Sequence, residues 1–230
     1  MINEAVVLAG GFGTRMKDLL GDLPKPMAQI NGRPFLELVL DYLCLYNIDK
    51  IILSTGYLSE KIENHFGSSY KDASISYSVE KEPLGTGGAI KAALNGISGD
   101  NFLVLNGDTL FKADIDKLKI KHITKGADIS IALREVENCN RYGAVSLDKN
   151  NRIVSFIEKS SEPSPGPING GVYILNKEVF SQLILPQSFS IEKDLFALHT
   201  GDLNIFGNIS NAYFIDIGTP DDYKRAEDEL

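Results

Sequence analysis

Five consecutive apolar residues, Ala5 to Ala9, stop abruptly at the glycine-rich segment GGFGTR (Gly10, Gly11, Phe12, Gly13, Thr14, Arg15), and Phe35 to Tyr46 then carries apolar residues at helical spacing. An unbroken apolar run this short is a candidate for a buried strand, of the kind that parallel sheets covered on both faces use. The pattern recurs. Ile51 to Ser54 reads as a strand, Ser59 to Phe66 as a helix capped by Ser59, Ile75 to Val79 as a strand, Thr86 to Leu94 as a helix and Phe102 to Leu105 as a strand. This alternation predicts an α/β fold: a Rossmann-like mixed, mostly parallel sheet with helices on both faces and a ligand crevice at the strands' C-terminal ends.

After about Lys125 the pattern shifts to strands joined by turns: Ile129 to Arg134, Ala144 to Leu147, Arg152 to Ile157 and Gly171 to Leu175, with a turn at Asp148 to Asn151. Hairpins are expected here in place of crossover helices. No long Gly/Ser or charged linker divides the chain, so residues 1–230 read as one domain, with halves of about 1–125 and 126–230. The Pro-rich stretch Ser160 to Pro167 is short enough to be a loop. Thr219 as N-cap with Pro220 at the first helical position starts a last helix.

The formal net charge of −8 argues against general attraction to nucleic acid or to an anionic membrane, so anionic substrates would need a local basic pocket. The N-terminus MINEAVVLAGG lacks a basic n-region and cleavage site, and no apolar run approaches a membrane span, which places the protein in the cytoplasm. Cys44 and Cys139 lack metal-type spacing, and Cys44, among Leu40, Leu43 and Leu45, is expected to be a buried free thiol. His65, His122 and His199 are far apart and are read as structural or surface residues.

The glycine loop is not a Walker A sequence, which needs Lys followed by Ser or Thr. It is also a poor dinucleotide fingerprint, because Met16 stands where the third glycine would fall. Alone it serves equally as a tight turn or as a cradle of N–H groups for phosphate. In the next segment, LPKPM, Lys25 stands between two prolines whose fixed φ angles restrict where the ammonium points. Asp108 ends the run FLVLNGD, where it either caps the turn or holds a cation. Asp216 interrupts the apolar run Ala212 to Ile217, and a buried carboxylate is costly without a cation or several N–H donors. Two such aspartates suit one Mg²⁺.

LAGGFGTRM, LPKPM, PLGTGGAI and LNGDTL together resemble the signature of the sugar-1-phosphate nucleotidyltransferases, over nearly the whole chain. The later segments RYGAV, FIEK, INGGVYIL, SIEKDLF and FIDIGTPDDY most resemble the D-glycero-α-D-manno-heptose 1-phosphate guanylyltransferases within that family, and next the mannose-1-phosphate enzymes. The resemblance implies a glycosyltransferase-A-like nucleotidyltransferase fold with a nucleotide-binding first half and a sugar-phosphate-binding second half. It implies that a sugar 1-phosphate attacks the α-phosphorus of a nucleoside triphosphate, with pyrophosphate leaving and an NDP-sugar for surface polysaccharide synthesis formed.

The resemblance carries catalysis to Arg15, Lys25 and Asp108, and nucleotide binding to Leu8, Gly10, Gly11, Gly13, Thr14, Arg15, Lys25, Glu80, Gly85 and Thr86. It carries sugar-phosphate binding to Gly143, Glu158, Lys159, Asn169 and Glu192, and Mg²⁺ to Asp108 and Asp216. Glu158 and Lys159 are adjacent, so both reach one pocket only if their strand twists or ends there. Glu80 precedes the loop expected to read the base, and a carboxylate accepts in a paired fashion from guanine's N1–H and 2-amino group, which favours GTP. The partners expected are GTP and a sugar 1-phosphate, without nucleic acid or membrane; a homodimer stays open. The rivals are a hexose-1-phosphate uridylyl- or thymidylyltransferase, a non-catalytic nucleotide-sugar sensor, which the joint presence of Arg15, Lys25, Asp108 and Asp216 disfavours, and an NAD-dependent oxidoreductase, which has no use for the Lys25 segment.

Overall fold

Successive residues of the first strand, β1 (Glu4–Leu8), face opposite sides of the sheet: Ala5 and Val7 enter one apolar cluster and Val6 the other, all fully buried. The computed structural model describes residues 1–11, 16–140, 142–157 and 164–230, so Gly13, Thr14, Arg15, Glu158 and Lys159 lie outside the described residues.

The chain continues through α1 (Lys17–Leu20), a 3₁₀ turn at Lys25–Met27, β2 (Gln29–Ile30), β3 (Arg33–Pro34) and α2 (Phe35–Leu43). Next come β4 (Lys50–Thr55), α3 (Ser59–Phe66), β5 (Ser69–Tyr70), β6 (Ala73–Val79), α4 (Gly85–Ala93), β7 (Asn101–Asn106), β8 (Thr109–Phe111) and α5 (Ile115–Lys125). The second half holds β9 (Ile129–Val136), β10 (Ala144–Leu147), β11 (Ile153–Ile157), β12 (Gly166–Asn176), α6 (Lys177–Gln182), a π-helical turn at Ile191–Phe196, β13 (Ile205–Ser210), β14 (Phe214–Asp216) and α7 (Pro220–Glu229).

Eight strands form one sheet in the order β13-β9-β12-β7-β1-β4-β6-β5. The pairs β1/β4, β1/β7, β4/β6 and β9/β13 are parallel, whereas β12 runs antiparallel to both β7 and β9, and β5 to β6. The sheet is therefore mixed and mostly parallel, as the alternation of runs predicts. One face is covered by α2 through Phe35, Leu36, Val39 and Leu40, by α3 through Ile62 and Phe66, and by α5 through Ile115 and Leu118. The opposite face is covered by Ile90 and Ala93 of α4, Phe180 of α6 and Phe196 of the π turn. Among the described residues no helix is long and apolar enough to cross a membrane.

Four expectations are corrected or narrowed. Ser59 is already the first helical residue of α3 and makes no capping bond; Leu58, at φ 58°, is the N-cap, and the Ser59 N–H instead closes a turn onto the Gly56 carbonyl at 3.1 Å. The helix from Phe35 passes at Cys44–Tyr46 into a 3₁₀ turn that Asn47 ends at φ 52°, and this leaves Leu45 exposed and Cys44 only half-buried. Hairpin geometry holds for β10/β11, whose turn closes with the Asn151 N–H on the Asp148 carbonyl at 3.0 Å. β13, by contrast, returns through α6 and the π turn to lie parallel to β9, so the second half also uses a helical connection. Thr219 does cap α7, its side chain accepting from the Asp222 N–H.

The histidines have structural partners. His65 bonds Glu37, His199 lies against Asp202, and buried His122 sits between Ser130 and Asn101, where burial pushes its pKa down to about 4.

Candidate active site

The chain leaves β1 for β4 on one side and later reaches β7 on the other, so the loops after β1 and β7 diverge at the sheet's switch point. A cleft of about 670 Å³ opens there, lined by Leu8, Gly10, Gly11, Lys25, Asn106, Asp108, Asn169, Glu192 and Asp216 among others. A second cavity of about 410 Å³ shares Leu8, Gly10 and Gly11 and extends past Glu80, Gly85 and Thr86. The described candidates for the nucleotide and for the sugar phosphate thus meet at one place, with one exception: Gly143 lines neither cavity, and its N–H donates to the Cys139 carbonyl at 2.8 Å.

Three charges occupy the centre. Pro24 enters the turn in an extended conformation, and the 3₁₀ turn that follows aims the Lys25 side chain inward, leaving it only 15% exposed. Its Nζ lies 2.7 Å from Asp108 Oδ2 and 3.9 Å from Asp216 Oδ1. Asp108 stands in the turn between β7 and β8, two residues beyond the strand's end, and Asp216 is the last residue of β14, which pairs with β8 through Asp216 and Thr109. The Thr109 hydroxyl lies 3.3 Å from Asp108 Oδ1 and 3.5 Å from Asp216 Oδ2. Burial, and then the charge of Asp108, raise the Asp216 carboxyl above the usual carboxylate range against the pull of Lys25 and the Gly218 N–H.

This donor set fits a hard divalent cation. Every donor is oxygen, an ammonium already sits against the carboxylates, and Mg²⁺ commonly takes one or two carboxylates while phosphates and water complete its shell. Among the described residues no group of three or more His, Cys, Asp or Glu side chains converges as a self-sufficient metal cage.

Across the cleft, the register of β12 slips between Asn169 and Val172. Gly171 carries the bulge at φ 74°, and a Cβ there would stand 2.8 Å from Asn106 Nδ2. The bulge sets Asn169 at the cleft wall, its Nδ2 donating to the Tyr173 hydroxyl at 2.8 Å and its Oδ1 accepting the Gly171 N–H at 2.9 Å. Asn106 Oδ1 is buried beside it without a hydrogen-bond partner among the described residues. Sequence reasoning missed Asn106, Tyr142 and Phe214 as lining residues. Asn106 left a signal, since it breaks an apolar run as Asp216 does, but Tyr142 and Phe214 reach the cleft as an edge-to-face aromatic pair that only tertiary packing creates.

On the nucleotide side, Glu80 Oε2 accepts the Leu84 N–H at 2.9 Å, and Oε1 lies 3.0 Å from where a Cβ on Gly10 would stand. The glycines after Leu84 do more than open a loop. Cβ atoms at Gly85, Gly87 and Gly88 would fall 2.5, 2.0 and 2.4 Å from the Phe189 carbonyl, the Phe189 ring and the Gln187 carbonyl. The Gly87 N–H bonds the Phe189 carbonyl at 3.0 Å, and the Phe189 N–H bonds the Leu84 carbonyl at 2.9 Å. This clasp fastens the start of α4 to residues 187–192 of the second half.

A doubly covered mixed sheet whose switch-point cleft sets a lysine against two aspartates is an architecture suited to a nucleotide-handling transferase, and residues 4–230 match the model of the nucleotidyl transferase family, to which the chain belongs. Within it, the chain is 47% identical to D-glycero-alpha-D-manno-heptose 1-phosphate guanylyltransferase of Aneurinibacillus thermoaerophilus over 99% of this chain and 98% of that protein. It is 42% identical to the protein of the same name from Campylobacter jejuni, over 96% of each. The structure superposes on the crystal structure of HddC from Yersinia pseudotuberculosis complexed with GMP-PN with a TM-score of 0.87 at 36% identity, covering 99% of both chains.

Proposed function

We propose that this protein is a guanylyltransferase that joins the GMP moiety of GTP to D-glycero-α-D-manno-heptose 1-phosphate, releasing pyrophosphate and forming a GDP-heptose. The observation that carries this reading is the Asp108–Lys25–Asp216 cluster at the switch point, set between a cavity bearing Glu80 and a cleft bearing Asn169 and Glu192. The full-length likeness to heptose 1-phosphate guanylyltransferases supports the choice of sugar, and the GMP-PN complex of the related structure supports the choice of base.

The sugar phosphate is already anionic, so its oxygen needs no general base to attack the α-phosphorus. The work is to bring two polyanions together and to offset the charge that builds as pyrophosphate departs. Lys25 supplies one cation at the α-phosphate. Arg15 and Lys159, assigned from their motifs, supply others toward the leaving pyrophosphate and the sugar phosphate. Asp108 and Asp216 would hold Mg²⁺, which when bound neutralises phosphate oxygens. Leu8, Gly10 and Gly11 admit the nucleotide closely because two of the three lack side chains, and Glu80 accepts from the guanine edge. Asn169, Asn106 and Glu192 offer acceptors and an amide to the sugar's hydroxyls, with Glu158 assigned from its motif. On this reading residues of about 1–125 serve the nucleotide and about 126–230 the sugar phosphate. The product is an activated sugar donor for a glycosyl-transfer step.

The test is a grid of GTP, ATP, UTP and dTTP against heptose, mannose and glucose 1-phosphates with Mg²⁺, read by pyrophosphate release. The reading expects the highest kcat/KM for GTP with the heptose. A higher value for mannose 1-phosphate would move the sugar assignment, and pyrophosphate from no pair would overturn the reaction.

A further inference from the structure

Thr86 lines the 410 Å³ nucleotide-side cavity, yet its hydroxyl is committed to the other half. Oγ1 donates to Glu192 Oε2 at 2.9 Å and accepts the Ile191 N–H at 2.9 Å. Ser190 Oγ donates to the same Glu192 oxygen at 2.8 Å. Two hydroxyl donors on one carboxylate oxygen fix the orientation of the carboxylate. Glu192 lines the 670 Å³ cleft, and its other oxygen, Oε1, has no hydrogen-bond partner among the described residues. The clasp between Gly87 and Phe189 holds the two segments in register, so the Thr86–Glu192 bond does not have to hold them together.

We infer that Thr86 is a positioning residue for the sugar substrate: it holds Glu192 so that Oε1 meets a sugar hydroxyl, although its motif assigns it to the nucleotide. The inference rests on the proposed guanylyltransferase reading and deepens it, by making the nucleotide loop the support of the sugar pocket.

The experiment is a double-mutant cycle with Thr86→Val, Thr86→Ser, Glu192→Ala and Thr86→Val/Glu192→Ala, varying GTP and heptose 1-phosphate each at saturating levels of the other. Thr86→Val should raise KM for the sugar phosphate about tenfold, somewhat less than the loss of a direct charge-assisted hydrogen bond because Ser190 still holds the same Glu192 oxygen, and change KM for GTP by less than about twofold. Thr86→Ser should restore the wild-type value, and Thr86→Val should add nothing in the Glu192→Ala background. Should Thr86→Val fail to fold, Ser190→Ala removes the other donor and should raise the same KM.

An equal rise in both KM values, failure of serine to rescue, or multiplying effects of Thr86→Val and Glu192→Ala would overturn the inference. Calorimetric titration of wild type and Thr86→Val with heptose 1-phosphate separates this from the reaction itself. Weaker binding to the variant without turnover in either protein keeps the positioning role and removes the reaction, whereas no binding to the wild type overturns both.

Discussion

If Glu80 accepts from the guanine edge as proposed, replacing it by glutamine should shift preference away from GTP, and the contacts of its carboxylate give the direction. One carboxylate oxygen of Glu80 is held by the Leu84 N–H at 2.9 Å. In glutamine only the carbonyl oxygen can accept, so that bond commits the oxygen to Leu84 and turns the NH₂ toward the base. Guanine's N1–H and 2-amino group would then face a donor. The loss is at least one hydrogen bond to a charged acceptor, about 1.5–3 kcal/mol, and at 1.36 kcal/mol per tenfold this lowers kcat/KM for GTP by about 13- to 160-fold. Uracil and thymine flank their one N–H with carbonyls that an NH₂ can satisfy, so their relative use should rise. The loop stays anchored because the Leu84 bond survives, and the melting temperature should not move. The assay is kcat/KM for GTP, UTP and dTTP in both proteins at saturating sugar phosphate. An unchanged GTP-to-UTP ratio would show that Glu80 only ties the loop.

Asp108→Asn should lower turnover by several orders of magnitude with the circular dichroism spectrum retained, because an amide cannot supply the anionic ligand; Mg²⁺-dependent activity within about tenfold of wild type would refute the assignment. Asp216→Asn should also abolish turnover, yet raise the melting temperature of the substrate-free protein at neutral pH. The raised Asp216 pKa means that the folded state holds this proton more tightly than the unfolded chain, so wild type loses stability as pH climbs from the ordinary carboxylate value through the raised one, and a thermal melt series across that range should show the variant without this loss. Gly87→Ala would place a Cβ 2.0 Å from the Phe189 ring, an overpacking that costs about 1–3 kcal/mol, or about 2–12 °C in a domain of this size, whereas Gly201→Ala, with open space around it, is the control that should leave Tm unchanged in calorimetry.

β1, β4 and β7 were readable because burial on both faces leaves an apolar run with no competing pattern, whereas β6, ASISYSV, showed itself by alternation, with Ala73 and Ile75 buried and Ser74 exposed. α5 was not readable. It buries only Ile115, Leu118 and His122, while Ile120 and Ile123 stand exposed, so no clean stripe appears in the sequence. Lys25, Asp108 and Asp216 announced themselves by local oddity, a lysine between prolines and acids in apolar surroundings. The clasp gave no such sign, since PLGTGG reads only as the entry and first turn of a helix until Phe189, about a hundred residues later, is known to press against its glycines. Glu192 was likewise detectable only as part of a motif, because a π-helical turn and a hydrogen bond to Thr86 set its direction.

The pairing of β14 with β8 has a consequence for synthesis on the ribosome. β1, β4, β6 and β7 are neighbours in the sheet and all emerge by residue 106, so most of the scaffold can assemble while the second half is still unmade. The acid at 216 emerges more than a hundred residues after Asp108, and α7 then returns to the first half through the Tyr223 hydroxyl on the Gln29 carbonyl and the Asn31 amide on the Glu227 carbonyl. A nascent chain short of β14 therefore has Lys25 and Asp108 but not their third partner. The central charge cluster is completed only by a late strand, so a prematurely released chain would carry a folded sheet without a finished site.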